Sequence, residues 1–229
     1  MLNRLPPGLR NLLILIGLFS LAQYSLPNIG FNEMQLYAFY PDSPFFRPWQ
    51  ILTHMFCHGG IAHLLFNAIA LYSFGAIMEM KLGTRKFLTL FFVSGLGALL
   101  VHFISVGVVT YNISGSIFPL HNSPESLTES QFVNLIRNYG PLLGASGALY
   151  GVLISFVLFY PNEQLVFLFI PYPVKAKYLI PIILLLDVVG AFGQFNWDPI
   201  AHFAHIGGAI TGYIAVRIWS WNRVKSNWK

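Results

Sequence analysis

Three short clusters in this sequence bring together a hydroxyl, several imidazoles and a side-chain amide. The first is Thr53-His54-Met55-Phe56-Cys57-His58-Gly59-Gly60-Ile61-Ala62-His63-Leu64-Leu65-Phe66-Asn67. The second is Gly144-Ala145-Ser146-Gly147-Ala148-Leu149-Tyr150-Gly151. The third is Ala201-His202-Phe203-Ala204-His205-Ile206-Gly207-Gly208, with Gly212 one turn further on. A serine hydroxyl is a weak nucleophile until a base within hydrogen-bond reach takes its proton. His63 and Asn67 stand four apart, so on a helix they share one face and can point into one small volume. Residue types of this kind are suited to hydrolysis, provided that the chain brings the three clusters together.

The elements that must do so are membrane spans. Apolar residues make up 55% of the 229 and charged residues 9%, against about 25% charged in an ordinary soluble domain. Six apolar stretches lie near residues 9–26, 61–80, 87–111, 146–160, 178–194 and 200–221. The expected fold is an all-α polytopic membrane protein, a single domain over residues 1–229 with six transmembrane helices. Strand-length alternating segments, the mark of a membrane β-barrel, are not visible. Of thirteen lysines and arginines, only Arg47 and Arg137 fall on the side opposite the two termini. Both termini are therefore expected in the cytoplasm. The same distribution accounts for the net charge of +5 without a nucleic-acid partner. The expected home is a lipid bilayer, as a multi-pass protein of a bacterial cell (inner) membrane. The first stretch is read as a retained span rather than a cleaved signal peptide. The loop over 27–50 is aromatic and suits the headgroup interface, whereas 112–140 is polar and is expected to be a mobile external segment.

Spans two, four and six run in the same direction, so the three clusters share one end of the bundle. From Ser146 to the break at Pro161 is about 22 Å of helix, and from His205 to Trp219, or Asn67 to Lys81, about 21 Å. Against a hydrocarbon core about 30 Å thick, all three groups reach one level inside the membrane. The glycine-rich approach to Ser146 is non-helical backbone at that depth. It must be buried in protein or line an aqueous cavity.

The ordered set Gly144-x-Ser146-Gly147, His63-x-x-x-Asn67 and Ala204-His205-x-x-Gly208-x-x-x-Gly212 resembles the rhomboid family of intramembrane serine proteases. Tyr150 and the series Gly75, Glu79, Gly83 also match, and the resemblance covers about residues 49–212. It implies a serine endopeptidase that cleaves single-span membrane proteins without cofactor or metal. Ser146 would attack the scissile carbonyl, and His205 would accept its proton and pass it to the leaving amine. The Ser146 backbone N–H, His63 and Asn67 would hold the oxyanion, and Tyr150 would stack on His205. One position departs from the family: Trp49 is followed by Gln50, where arginine is common, with Arg47 two residues earlier. That bears on how the first outer loop is anchored. The sequence places no carboxylate to complete a triad, so a two-residue dyad is expected. Asp187, near the middle of the fifth span, is left as a buried acid without a role.

Helix geometry separates the two candidate bases. At about 100° per residue, His205 falls about 40° from the middle of the Gly208/Gly212 seam and His202 about 100°. His205 therefore points toward span four, and His202 is expected in a water-facing or loop-anchoring position. Gly147/Gly151 and Gly208/Gly212 read as small-residue packing devices, and Glu79 as a structural hydrogen-bonding group. His54 and His58 are four apart but lack the His-Glu-x-x-His pattern of a zinc protease. Cys57 reads as packing, and His102 and His121 as incidental. An aspartic protease would need a second acid beside Asp187. The competing class is a non-proteolytic relative that binds membrane segments, which is expected to have lost the serine or the histidine.

Overall fold

The computed structural model describes residues 5–25, 32–166, 172–193 and 201–226, the last six as backbone. Positions 26, 194 and 200, where three spans were expected to begin or end, lie outside the described residues. So do Phe31 of the first loop and the side chains of Arg4, Arg223, Lys225 and Lys229. Among the described residues six helices dominate: α1 (Pro7–Ser25), α2 (Ile61–Leu82), α3 (Thr84–Ser114), α4 (Ser146–Phe159), α5 (Ala176–Gly193) and α6 (His202–Ser226). α2, α3 and α5 are each long and apolar enough to cross a membrane, and α4 is a shorter apolar helix. Their outward faces carry Phe66, Leu100, Ile104, Leu186 and Phe192, all exposed. A broad apolar exterior of this kind is what a bilayer accommodates and water does not.

Each helix has a local reason to start where it does. α1 opens at Pro7, whose fixed φ suits the first helical turn. Its free amides are taken by Glu79, which accepts from Gly8 N–H at 2.8 Å and Leu9 N–H at 2.6 Å. Thr84 Oγ1 donates to the same carboxylate at 2.7 Å. One buried acid thus ties the start of α1 to the α2–α3 turn, which fits the structural role expected for Glu79. The turn itself is made by Gly83 at φ +78, a conformation open mainly to glycine. α2 contains a π-helical turn over Leu71–Gly75. There the bare Gly75 lets Leu9 and Phe87 close in on it. Met55, Leu71, Met78, Leu90, Phe91, Val152 and Phe156 complete that core.

α6 packs most extensively on α3 and α4, through glycines. A Cβ on Gly208 would lie 1.9 Å from the Gly147 carbonyl oxygen, and one on Gly212 would lie 2.5 Å from Gly151 Cα. Backbone touches backbone along this seam, in the small-residue packing mode of membrane helices.

The segment over 112–140 is not the loose external loop that its polarity suggests. α3 runs on to Ser114, and short helices follow at Pro119–Asn122 and Glu129–Asn138. The second opens with a reciprocal Thr128/Gln131 capping box. Buried Asp42 then clasps the segment. It accepts from Leu120 N–H at 2.9 Å, His121 N–H at 3.0 Å and Tyr139 Oη–H at 2.7 Å, and lies 2.6 Å from His121 Nδ1. His121 is therefore not incidental. A two-residue antiparallel pairing of Gln164–Leu165 with Val174–Lys175 precedes α5.

The first loop is anchored by Gln50, the departing residue. Fully buried, it accepts from Arg47 N–H at 2.9 Å and donates to the Phe45 carbonyl at 2.9 Å. A neutral amide, both donor and acceptor, here does the fastening expected of a guanidinium.

Candidate active site

The N-terminal ends of α2, α4 and α6 meet at one end of the bundle. Ser146 is the first residue of α4, where backbone N–H groups lack partners within the helix. It is delivered by Gly144, whose φ is +121 and whose N–H donates to the His54 carbonyl at 2.9 Å. A Cβ at Gly144 would fall 2.8 Å from His63 Cε1 and 2.9 Å from its Nε2. Backbone conformation and the close approach of His63 both require glycine here.

His205, on the first turn of α6, reaches across the glycine seam. Its Nε2 lies 2.9 Å from Ser146 Oγ. Tyr150, four residues after Ser146 on α4, lies flat on the imidazole, with ring centroids 4.2 Å apart and planes 10° apart. The other ring nitrogen, Nδ1, lies 2.8 Å from Asp187 Oδ1. The sequence placed no carboxylate beside this pair, but α5 turns Asp187 inward, only 5% exposed, directly behind the histidine.

His202 departs from the water-facing alternative expected for it. Its Nδ1 lies 2.8 Å from the same Asp187 Oδ1, with the side chain 11% exposed. It thus turns into the protein rather than toward water. Gly190, one turn along α5 from Asp187, makes room for its ring: a Cβ there would lie 2.3 Å from His202 Nε2.

The expected oxyanion groups divide. Gly59 N–H donates to His63 Nδ1 at 3.3 Å. That nitrogen then acts as acceptor, and Nε2, beside Gly144, carries the proton. Asn67 is buried, and its Nδ2 donates to the His63 carbonyl of its own helix at 2.9 Å, leaving Oδ1 without a partner among the described residues. A cavity of about 10 Å³ lined by His54, Gly144, Ser146 and Ala204 lies against the serine. That is about the volume needed for one water.

Asp187, His202 and His205 also present three ligand-type atoms within 4.8 Å of one another. Their 2.8 Å nitrogen–oxygen separations are hydrogen-bond lengths, and the outer nitrogen of His205 faces Ser146. The cluster reads as a hydrogen-bond network. His54 and His58 are engaged separately. His54 Nδ1 meets the Gln50 carbonyl at 2.8 Å, and His58 packs edge-on against His63.

A bundle of membrane-length helices that buries a hydroxyl–imidazole–carboxylate array defines a helical membrane protein built around a polar interior site. The chain belongs to the rhomboid family: residues 46–222 match the Rhomboid domain. It is 27% identical over 197 residues to an uncharacterised mitochondrial rhomboid protein of Schizosaccharomyces pombe, covering 74% of this chain and 50% of that one. It is 29% identical to the mitochondrial Rhomboid protein 1 of Saccharomyces cerevisiae, covering 72% of this chain and 40% of that one. Identity to the rhomboid protease GluP of Bacillus subtilis is 30%, covering 73% of this chain and 25% of GluP. The chain thus spans half or less of the length of these curated relatives. With the two yeast relatives mitochondrial, they lend no support to the expected bacterial cell membrane. What fold and family share is an integral membrane protein.

Proposed function

We propose that this chain is an intramembrane serine endopeptidase that cleaves the transmembrane segments of single-span membrane proteins. The observation that carries the reading is the 2.9 Å approach of His205 Nε2 to Ser146 Oγ. That is the distance at which a base can take a nucleophile's proton. In the proposed reaction Ser146 Oγ attacks the scissile carbonyl while His205 takes its proton. The oxyanion is held by the Ser146 N–H with the side chains of His63 and Asn67, the latter after its amide turns from its own helix. His205 then protonates the leaving amine, and a water activated by the same imidazole hydrolyses the acyl-enzyme. Tyr150 holds the ring by stacking, and Gly144, Gly147, Gly208 and Gly212 allow the approach of chain to chain. A formed helix hides its carbonyls in hydrogen bonds, so substrates with helix-weakening residues near the cut are expected to be preferred.

The proposed topology has six spans with both termini cytoplasmic, in one membrane domain over residues 1–229. The lengths of α1 and α6 and the placing of the basic residues support it. Survival of both Ser146 and His205 favours the protease over a segment-binding relative.

The test is cleavage of a generic single-span substrate by purified protein in detergent, together with labelling by a fluorophosphonate. Label is expected on Ser146. Ser146→Ala and His205→Ala should each lower turnover by more than about 10⁴-fold. Cleavage that survives Ser146→Ala, or label on another residue, refutes the assignment.

A further inference from the structure

We propose that Asp187 is the positioning residue for the base, so that the site operates as a Ser146–His205–Asp187 triad with His202 as a second anchor of the carboxylate. The inference rests on the protease reading and adds a member that neither the sequence motif nor the family resemblance assigns.

The first support is economy of burial. An acid in the apolar run of α5 is costly and persists where polar partners compensate it. Asp187 is 5% exposed and has two such partners among the described residues, His205 and His202. Each partner is a side chain. Among the described residues none is a backbone amide whose helix the acid would be capping.

The second support is tautomer logic. A neutral imidazole has one protonated nitrogen, and an ionised carboxylate can only accept. With Asp187 Oδ1 at 2.8 Å, the proton of His205 sits on Nδ1. Nε2 then presents its lone pair to Ser146 Oγ at 2.9 Å. The opposite tautomer would aim an N–H at the hydroxyl and could not take its proton. When the serine proton does move to Nε2, the ring becomes a cation, and the carboxylate on its far side stabilises it. No proton need pass to the acid.

The third support is rigidity of the acid itself. His202 approaches the same oxygen at 2.8 Å, and Gly190 leaves the space its ring occupies. Tyr150 stacks on the face of the His205 ring. The stack fixes the plane of the base, and the carboxylate fixes its direction. The carboxylate, the ring plane and the helix that carries Ser146 are thus linked through the base.

The test uses the full chain in detergent, with a single-span fluorogenic substrate and a fluorophosphonate. Asp187→Asn keeps size and removes charge. It should lower kcat by at least about 100-fold and slow labelling of Ser146 in proportion, with KM within about threefold of wild type. A merely structural tie would act on folding and substrate binding and would spare kcat of the folded enzyme. With Ser146→Ala and His205→Ala inactive in the same assay, an Asp187→Asn protein with kcat within about threefold of wild type overturns the inference and leaves the protease intact. If Ser146→Ala still cleaves, the protease reading has failed and the triad falls with it. A measurement on the wild type covers the case in which Asp187→Asn does not fold. In ¹⁵N-histidine-labelled protein near neutral pH, the His205 signals, identified by their loss in His205→Gln, should show a protonated Nδ1 and a bare Nε2. The reverse pattern overturns the proposal.

Discussion

Asp42 and Asp187 are both buried carboxylates with a histidine partner, at 1% and 5% exposure, yet their neighbours differ in kind. Asp42 takes two backbone amides, from Leu120 and His121, along with the Tyr139 hydroxyl and an imidazole that is 63% exposed. It joins chain segments about 80 to 100 residues apart, and what it fastens is a short helix and the end of another. Among the described residues Asp187 takes side chains only, the ring that faces Ser146 and its neighbour His202. An acid that binds backbone holds a fold in place. An acid that binds only side chains sets their direction and tautomer. Glu79 extends the first class, since it accepts two amides at the start of α1.

The comparison breaks most sharply by exchanging losses. Asp187→Asn is expected to lower kcat by at least about 100-fold with little loss of thermal stability. Asp42→Ala should do the opposite. It leaves two amides and a phenol without their acceptor and should cost about 3–5 kcal/mol of stability, read as a fall in Tm in detergent. Turnover per folded molecule should stay within about threefold of wild type. If Asp42→Ala instead lowers kcat with Tm unchanged, the distinction between backbone-holding and direction-setting acids fails. Glu79→Gln comes next. One of its two amide acceptors becomes a donor, for a loss of about 2 kcal/mol without effect on the chemistry of folded protein. Loss of Ser146 labelling in folded Glu79→Gln would contradict the assignment.

Much of the site was legible because its members sit in short motifs and their helices run parallel. The Gly208/Gly212 seam set the rotation of α6 and with it the direction of His205. Asp187 was visible as a misplaced acid but not as a partner. The rotation of α5 about its own axis depends on packing that no spacing in its apolar run encodes. His202 followed, because its destination is that acid. The segment over 112–140 looked unstructured by polarity, although Thr128-x-x-Gln131 was a legible capping signal. Its long-range tie to Asp42 was not legible, since no local pattern links residues so far apart in sequence. Gln50 is the same lesson in reverse. The departure from arginine was plain, but whether an amide could replace it depended on carbonyls and amides of the folded loop.

The smallest expected effect tests the clasp from its wet side. His121 reaches Asp42 by its ring at 2.6 Å and by its own backbone N–H at 3.0 Å. Only the ring contact is lost in His121→Ala. The backbone amide, the Leu120 amide and the Tyr139 hydroxyl remain on the carboxylate, which stays buried and satisfied. Because the His121 side chain is 63% exposed, water competes for the ring and replaces much of the pairing. His121→Ala should therefore cost less than about 1 kcal/mol, with turnover unchanged, while Asp42→Ala lowers Tm well beyond it. Differential melting of the two variants in one detergent makes the measurement. Equal losses would mean that the exposed imidazole rather than the backbone amides carries the clasp, and Asp42 would then belong with Asp187 among acids that act through a histidine.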